Sequence, residues 1–156
     1  MLVLCSVIVF CIIALAVILL IQSPGKAKPL LDENGSVIKD SISEKVYANI
    51  NGVNMGMIVK SKNTSNPVLL FVHGGPGMPE YPFTEKYPTG LEDNFTVAWW
   101  DQRGSGLSYQ SGMSEEKMTT EQFISDTIEV SKYLKKRFGQ DKIYLMAHSW
   151  GSYIGI

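Results

Sequence analysis

The hydrophobic pattern divides the chain sharply. Residues 2–21, "LVLCSVIVFCIIALAVILLI", carry no charge and a single polar side chain, Ser6, and fifteen of the twenty are Leu, Ile, Val or Phe. A helix of about 20 residues spans the roughly 30 Å hydrocarbon core of a bilayer, and a helix apolar on every side has no face that prefers water. The pattern predicts a transmembrane anchor over residues 1–21, with membrane contact through residues 2–21. A cleaved secretory signal fits less well. No Lys or Arg precedes the run, the run is too long, and the following "QSPGKAKP" offers no A-x-A cleavage pattern.

Beyond the anchor, residues 22–43 are rich in Pro, Gly, Lys and polar side chains and read as a linker. Residues 44–156 read as one α/β unit. Two short, imperfectly alternating runs flank Asn51-Gly52, a hairpin turn pair, and Gly56 suggests a bulge in the second run. Three further runs, at residues 67–73, 95–101 and 142–148, are apolar without alternation, as in strands covered on both faces of a parallel sheet. Between the last two lies a predicted helix. Thr119 with Gln122 gives a capping box, Phe123, Ile124, Thr127, Ile128, Ser131, Leu134 and Phe138 form its apolar face, and Gly139 ends it. Strand, helix, strand is the crossover unit of a mostly parallel sheet with flanking helices.

Charge and cysteine narrow the function classes. A net charge of −1 gives no reason to expect a nucleic-acid partner, and the "KKR" run at residues 135–137 suits the C-terminal end of a helix as a solvated face. Cys5 and Cys11 both fall in the apolar run, so redox compartment is not legible from them. Two isolated histidines and those cysteines lack the spacing of a metal site, and neither metal nor cofactor is expected. Lys26 and Lys28 after the anchor are a weak positive-inside signal, which leaves the side of the soluble part open. Nothing in the pattern speaks to oligomeric state.

Three loops carry candidate chemistry. "AHSWG", residues 147–151, follows a strand and precedes a helical run. A turn so tight that Ser149 sits in a strained conformation requires small neighbours two positions away, and Ala147 and Gly151 are small. "HGGPGMPE", residues 73–80, follows the first covered strand, and its glycines let backbone amides approach a developing oxyanion. "DQRGSGLS", residues 101–108, follows the second.

Taken in chain order, residues 73–80, 101–108 and 147–151, the three motifs resemble the α/β-hydrolase fold, and within it the prolyl aminopeptidase (proline iminopeptidase) group, over roughly residues 44–156. The resemblance implies a serine hydrolase acting on a short peptide or small acyl substrate, with Ser149 as nucleophile, and the apolar run adds the expectation that it is membrane-anchored. The resemblance places the oxyanion hole at the amides of Gly75 and Trp150, with Gly74 as the substitute for Gly75. Asp101 and Arg103 would mainly hold their loop beside the site, and His73 would brace the glycine loop. His148, next to Ser149 on a strand end, is expected to point away from the hydroxyl, so neither histidine is expected to be the base.

Chain order in elbow enzymes is serine, acid, histidine. The resemblance therefore places the acid and base after residue 156 and implies a chain truncated after the elbow and inactive as it stands. An esterase or other acyl hydrolase on the same scaffold is the alternative enzyme. A dehalogenase is disfavoured, since that chemistry uses an aspartate at the position of Ser149. A non-catalytic membrane-tethered remnant is the alternative of another class.

Overall fold

The computed structural model describes residues 2–22 and 25–156. Ser23 and Pro24 of the predicted linker, and Met1 of the predicted anchor, lie outside the described residues. The apolar run forms helix α1, Leu2–Gln22. Its side chains are described for residues 5–19 and stand exposed, Ala14 alone being half-buried. With side chains described only over that stretch, no described helix is long and apolar enough to cross a membrane. The segment that follows is locally ordered: Leu31 and Val37 form a bridge, and Asp32 Oδ1 accepts the Asn34 and Ser36 amides, each at 2.9 Å.

The predicted hairpin is β1, Ile42–Ile50, and β2, Val53–Ser61. Asn51 and Gly52 turn with φ of 48° and 79°, the paired positive angles that match strand twist. The expected bulge is absent. Gly56 pairs in unbroken register with Tyr47, and its glycine serves a close approach instead, since a Cβ there would fall 2.3 Å from Leu107 Cβ.

The three apolar runs become β3, Val68–Val72, β4, Thr96–Trp100, and β5, Tyr144–Ala147. The sheet order is β1-β2-β4-β3-β5. β3 runs parallel to both β4 and β5, whereas β2 is antiparallel to β4. The sheet is thus mixed rather than mostly parallel, because the leading hairpin adds two antiparallel pairings to the two parallel ones.

β3 and β4 are buried along their whole length, and their side chains alternate between two cores. Val68, Leu70, Val72, Ala98 and Trp100 join the cluster under α3, Thr120–Phe138. Leu69, Phe71, Val97 and Trp99 face the other side, covered by Tyr81, Leu91, Phe95 and Leu107. Alternation was invisible in the sequence because both faces are apolar. β5 departs from the expected covered strand. Bonded among the described residues only to β3, it leaves Tyr144, Leu145 and Met146 exposed.

In α3 the Thr119 hydroxyl accepts the Gln122 amide at 3.2 Å and Gly139 closes the helix in the left-handed region. The return half of the predicted capping box does not form, because the Gln122 side chain turns to Asp126 at 2.9 Å. The buried face comprises Phe123, Asp126, Thr127, Val130 and Leu134. Ile128, placed on that face from its spacing, is exposed, and an acidic residue occupies the core instead. Two short helices complete the fold near the loops: α2, Tyr81–Lys86, and α4, Trp150–Ile154. α2 is moored by Glu85, whose Oε1 accepts from the buried Lys60 Nζ and from the Tyr81 hydroxyl, both at 2.7 Å.

Candidate active site

The loops after β3, β4 and β5 meet at the carboxyl ends of the strands, where open α/β sheets hold their ligands. At the centre is Ser149, with φ 51° and ψ −118°, a conformation that a non-glycine residue adopts only when its surroundings enforce it. The enforcing contact is Gly151. A Cβ on it would lie 2.0 Å from the Val72 carbonyl oxygen and 2.8 Å from that of His73, so the elbow lies flat against the end of β3. The backbone is tied there by the His148 amide to Val72 O at 3.1 Å, and the turn is closed on itself by the Gly151 amide to His148 O at 2.8 Å.

Ser149 is exposed, and its hydroxyl has no hydrogen-bond partner among the described residues. It neighbours the glycine loop, where a Cβ on Gly74 would stand 3.2 Å from Ser149 Cβ. Gly75 has φ 118°, and a Cβ there would press on the amides of Gly77 and Met78 at 2.7 and 2.9 Å, so only glycine fits. The amides of Gly75 and Trp150 are donated to no acceptor among the described residues. Two amides without acceptors thus belong to the residue after Gly74, which packs against Ser149, and to the residue after Ser149 itself.

The bracing residues form one network. His73 is buried; its Nε2 accepts the Gln102 amide at 3.0 Å, which leaves the proton on Nδ1 to donate to Gly74 O at 2.8 Å. Burial holds its pKa below the ordinary histidine value, consistent with a neutral ring. Gln102, which the sequence reading passed over, returns its side-chain amide to His73 O at 2.7 Å and accepts Trp150 Nε1–H at 3.2 Å. One side chain therefore connects the ends of β3 and β4 with the first residue of α4. Its position inside "DQRGSGLS" was the only available signal.

Asp101 and Arg103 hold the second loop. Asp101 Oδ2 accepts the Leu107 amide at 2.7 Å and its carbonyl accepts the Ser108 hydroxyl, while burial pushes its carboxyl up to about 6. Arg103 donates through Nε and Nη2 to the two oxygens of Asp126 at 2.7 and 2.8 Å, a fork with both side chains buried. Asp126 also accepts from Asn51 at 2.8 Å, so one carboxylate joins the loop, α3 and the hairpin turn.

His148 is exposed, and its Nδ1 lies 2.6 Å from Glu80 Oε1 rather than against Ser149. Glu80, Met78, Phe83, Tyr87 and His148 line a pocket of about 350 Å³ beside the elbow. Among the described residues no cluster of His, Cys, Asp or Glu could hold a metal ion.

Residues 67–156 match the family model described as alpha/beta hydrolase fold. Over 118 residues the chain is 42% identical to the probable aminopeptidase YbaC of Bacillus subtilis, covering 76% of this chain and 37% of that protein. It is 30% identical to a proline iminopeptidase of Thermoplasma volcanium, covering 76% of this chain and 38% of that one. Among solved structures it resembles a proline iminopeptidase-related protein from Thermus thermophilus, with TM-score 0.59 and 27% identity over 72% of this chain and 38% of the other. An epoxide hydrolase mutant from Vigna radiata aligns with TM-score 0.57 and 27% identity, over 72% and 33% of the two chains. The chain spans 37–38% of the length of these two curated relatives.

Proposed function

The chain belongs to the α/β-hydrolase fold family, and from that premise we propose that it is the N-terminal part of a serine hydrolase that removes the N-terminal residue, proline foremost, from short peptides. The observation that carries the reading is the strained, exposed and unpartnered Ser149 packed against the glycine loop, with the amides of Gly75 and Trp150 left without acceptors among the described residues. In the reaction Ser149 Oγ attacks the scissile carbonyl carbon, and the carbonyl oxygen gathers charge toward the two amides, each donor being worth roughly 2.7–4 kcal/mol in such sites. A base takes the hydroxyl proton and passes it to the departing amine; water then frees the acyl group from the serine.

Neither histidine suits the role of base. Both ring nitrogens of His73 are engaged in the brace, and His148 turns Nδ1 to Glu80. By the serine, acid, histidine order of elbow enzymes, the acid and base belong to chain following residue 156. Residues 1–156 by themselves would then show no hydrolase turnover.

The test is labelling by a fluorophosphonate probe of the protein expressed from its full reading frame. Labelling at Ser149 that vanishes in Ser149→Ala supports the reading, and equal labelling of both refutes it. Prolyl arylamides against simple esters then separate peptidase from esterase. The second reading is an esterase or other acyl hydrolase on the same scaffold, which the epoxide hydrolases of like fold show to host more than one chemistry. A reading frame that stops after Ile156, with no labelling, would favour a non-catalytic tethered remnant.

The proposal extends to location: α1 tethers the hydrolase unit to a membrane. Its support is compositional, an uncharged helix of 21 residues whose described side chains are nearly all exposed and apolar.

A further inference from the structure

Glu80 has no part in the reaction outlined above, yet it reaches both of the loops on which that reaction depends. It is the residue before α2, and its side chain is three-quarters buried against the glycine loop. Its Oε1 lies 2.6 Å from His148 Nδ1, in the elbow, and 3.4 Å from the Gly74 amide, in the oxyanion loop. The first is a short, charge-assisted hydrogen bond; the second is at the outer limit of a bond and weak alone.

Their joint geometry matters because of what Gly74 touches. A Cβ on Gly74 would lie 3.0 Å from His148 Nδ1, 3.2 Å from His148 O and 3.2 Å from Ser149 Cβ, so loop and elbow are already in contact at this residue. The Gly74 carbonyl is fixed from the other side by His73 Nδ1 at 2.8 Å. The elbow backbone is tied to β3, but among the described residues no other side-chain hydrogen bond joins the glycine loop to the elbow.

We propose that Glu80 is a positioning residue: its carboxylate, accepting His148 Nδ1–H and the Gly74 amide together, sets the separation between the glycine loop and Ser149. His148 is then the elbow's half of a strut. This gives a reason for a histidine directly before the nucleophile that is neither a base nor buried. The inference rests on the serine-hydrolase reading for its catalytic consequence but not for its structural one. A misplacement of about 1 Å in such a site can cost on the order of 100-fold in rate.

The experiment compares wild type, Glu80→Ala and Glu80→Gln, expressed from the full reading frame, with two readouts. Amide hydrogen exchange in residues 74–78 should accelerate about tenfold or more in Glu80→Ala and stay near wild type in Glu80→Gln, which keeps an acceptor oxygen. Turnover of a peptide with a free amino terminus and of an ester without one should fall together in Glu80→Ala, about tenfold or more in kcat with KM nearly unchanged, and recover in Glu80→Gln. Unchanged exchange in Glu80→Ala overturns the proposal. So does a loss confined to KM for the substrate bearing the amine, which would make Glu80 an ammonium site instead. Absence of fluorophosphonate labelling in wild type would sink the hydrolase reading, while the exchange arm still decides the strut.

Discussion

Ser149 and Asp101 hold different kinds of tension, one at the centre of the site and one in the loop beside it. At Ser149 the tension is conformational, a positive φ enforced by Gly151 against β3. At Asp101 it is electrostatic, because burial raises the carboxyl to about 6 even though the Leu107 amide pulls the other way. A carboxyl near 3.8 when unfolded and near 6 when folded holds its proton more tightly in the native state. Its burial therefore costs stability above pH 6, and that cost fades as pH falls toward 4. Asp101→Asn removes the titration and leaves an acceptor for Leu107. Urea unfolding should show wild type gaining stability relative to Asp101→Asn between pH 7 and pH 4; a constant difference would contradict the raised value. The candidates at this scale were readable from residue order, since Ser149, Gly75, Trp150, His73, Asp101 and Arg103 all lie in contiguous motifs. Gln102 and Glu80 were not singled out, because their partners are brought to them by other strands.

At the scale of elements, the loop after β4 is locked to α3 by a buried fork. Arg103 and Asp126 have almost no exposed surface, and Asp126 takes four donors, from Arg103 twice, Asn51 and Gln122. Removing one partner strands the other charge in the core, at a cost of about 3–5 kcal/mol, whereas replacing both by apolar side chains can be nearly neutral. Asp126→Ala should lower the denaturant midpoint markedly, and Arg103→Met with Asp126→Leu should lower it less. The reverse order would mean that the fork is solvated. Helix periodicity missed this arrangement: it placed Ile128 inward and left Asp126 out, since a charge is expected to face water unless a partner from elsewhere is known. The same limit explains the sheet. Uniformly apolar runs identify covered strands, but strand order and the antiparallel joint between β2 and β4 are set by long-range pairing that local pattern does not encode.

For the whole molecule, the exposed apolar helix α1 and the hydrolase unit make different demands on solvent. If α1 is a membrane anchor, the expressed protein should remain in the pellet after extraction of membranes with alkaline carbonate, and deletion of residues 2–21 should release it to the supernatant. Recovery of the intact chain in the supernatant would argue for a peripheral or soluble protein.

Features that depend on neighbours along the chain follow from residue order alone. They cover the apolar helix, the Asn51-Gly52 hairpin, the α3 caps and the three loop motifs with their nucleophile and donor candidates. Tertiary structure alone decided which of these meet, through the sheet order, the inward Asp126, the Gln102 brace and the carboxylate of Glu80 between glycine loop and elbow. The reason is physical. Backbone propensity and periodicity act over a few residues, whereas a buried polar group is tolerated only when a partner arrives from a distant part of the chain, and that partner is known only once the strands are in place.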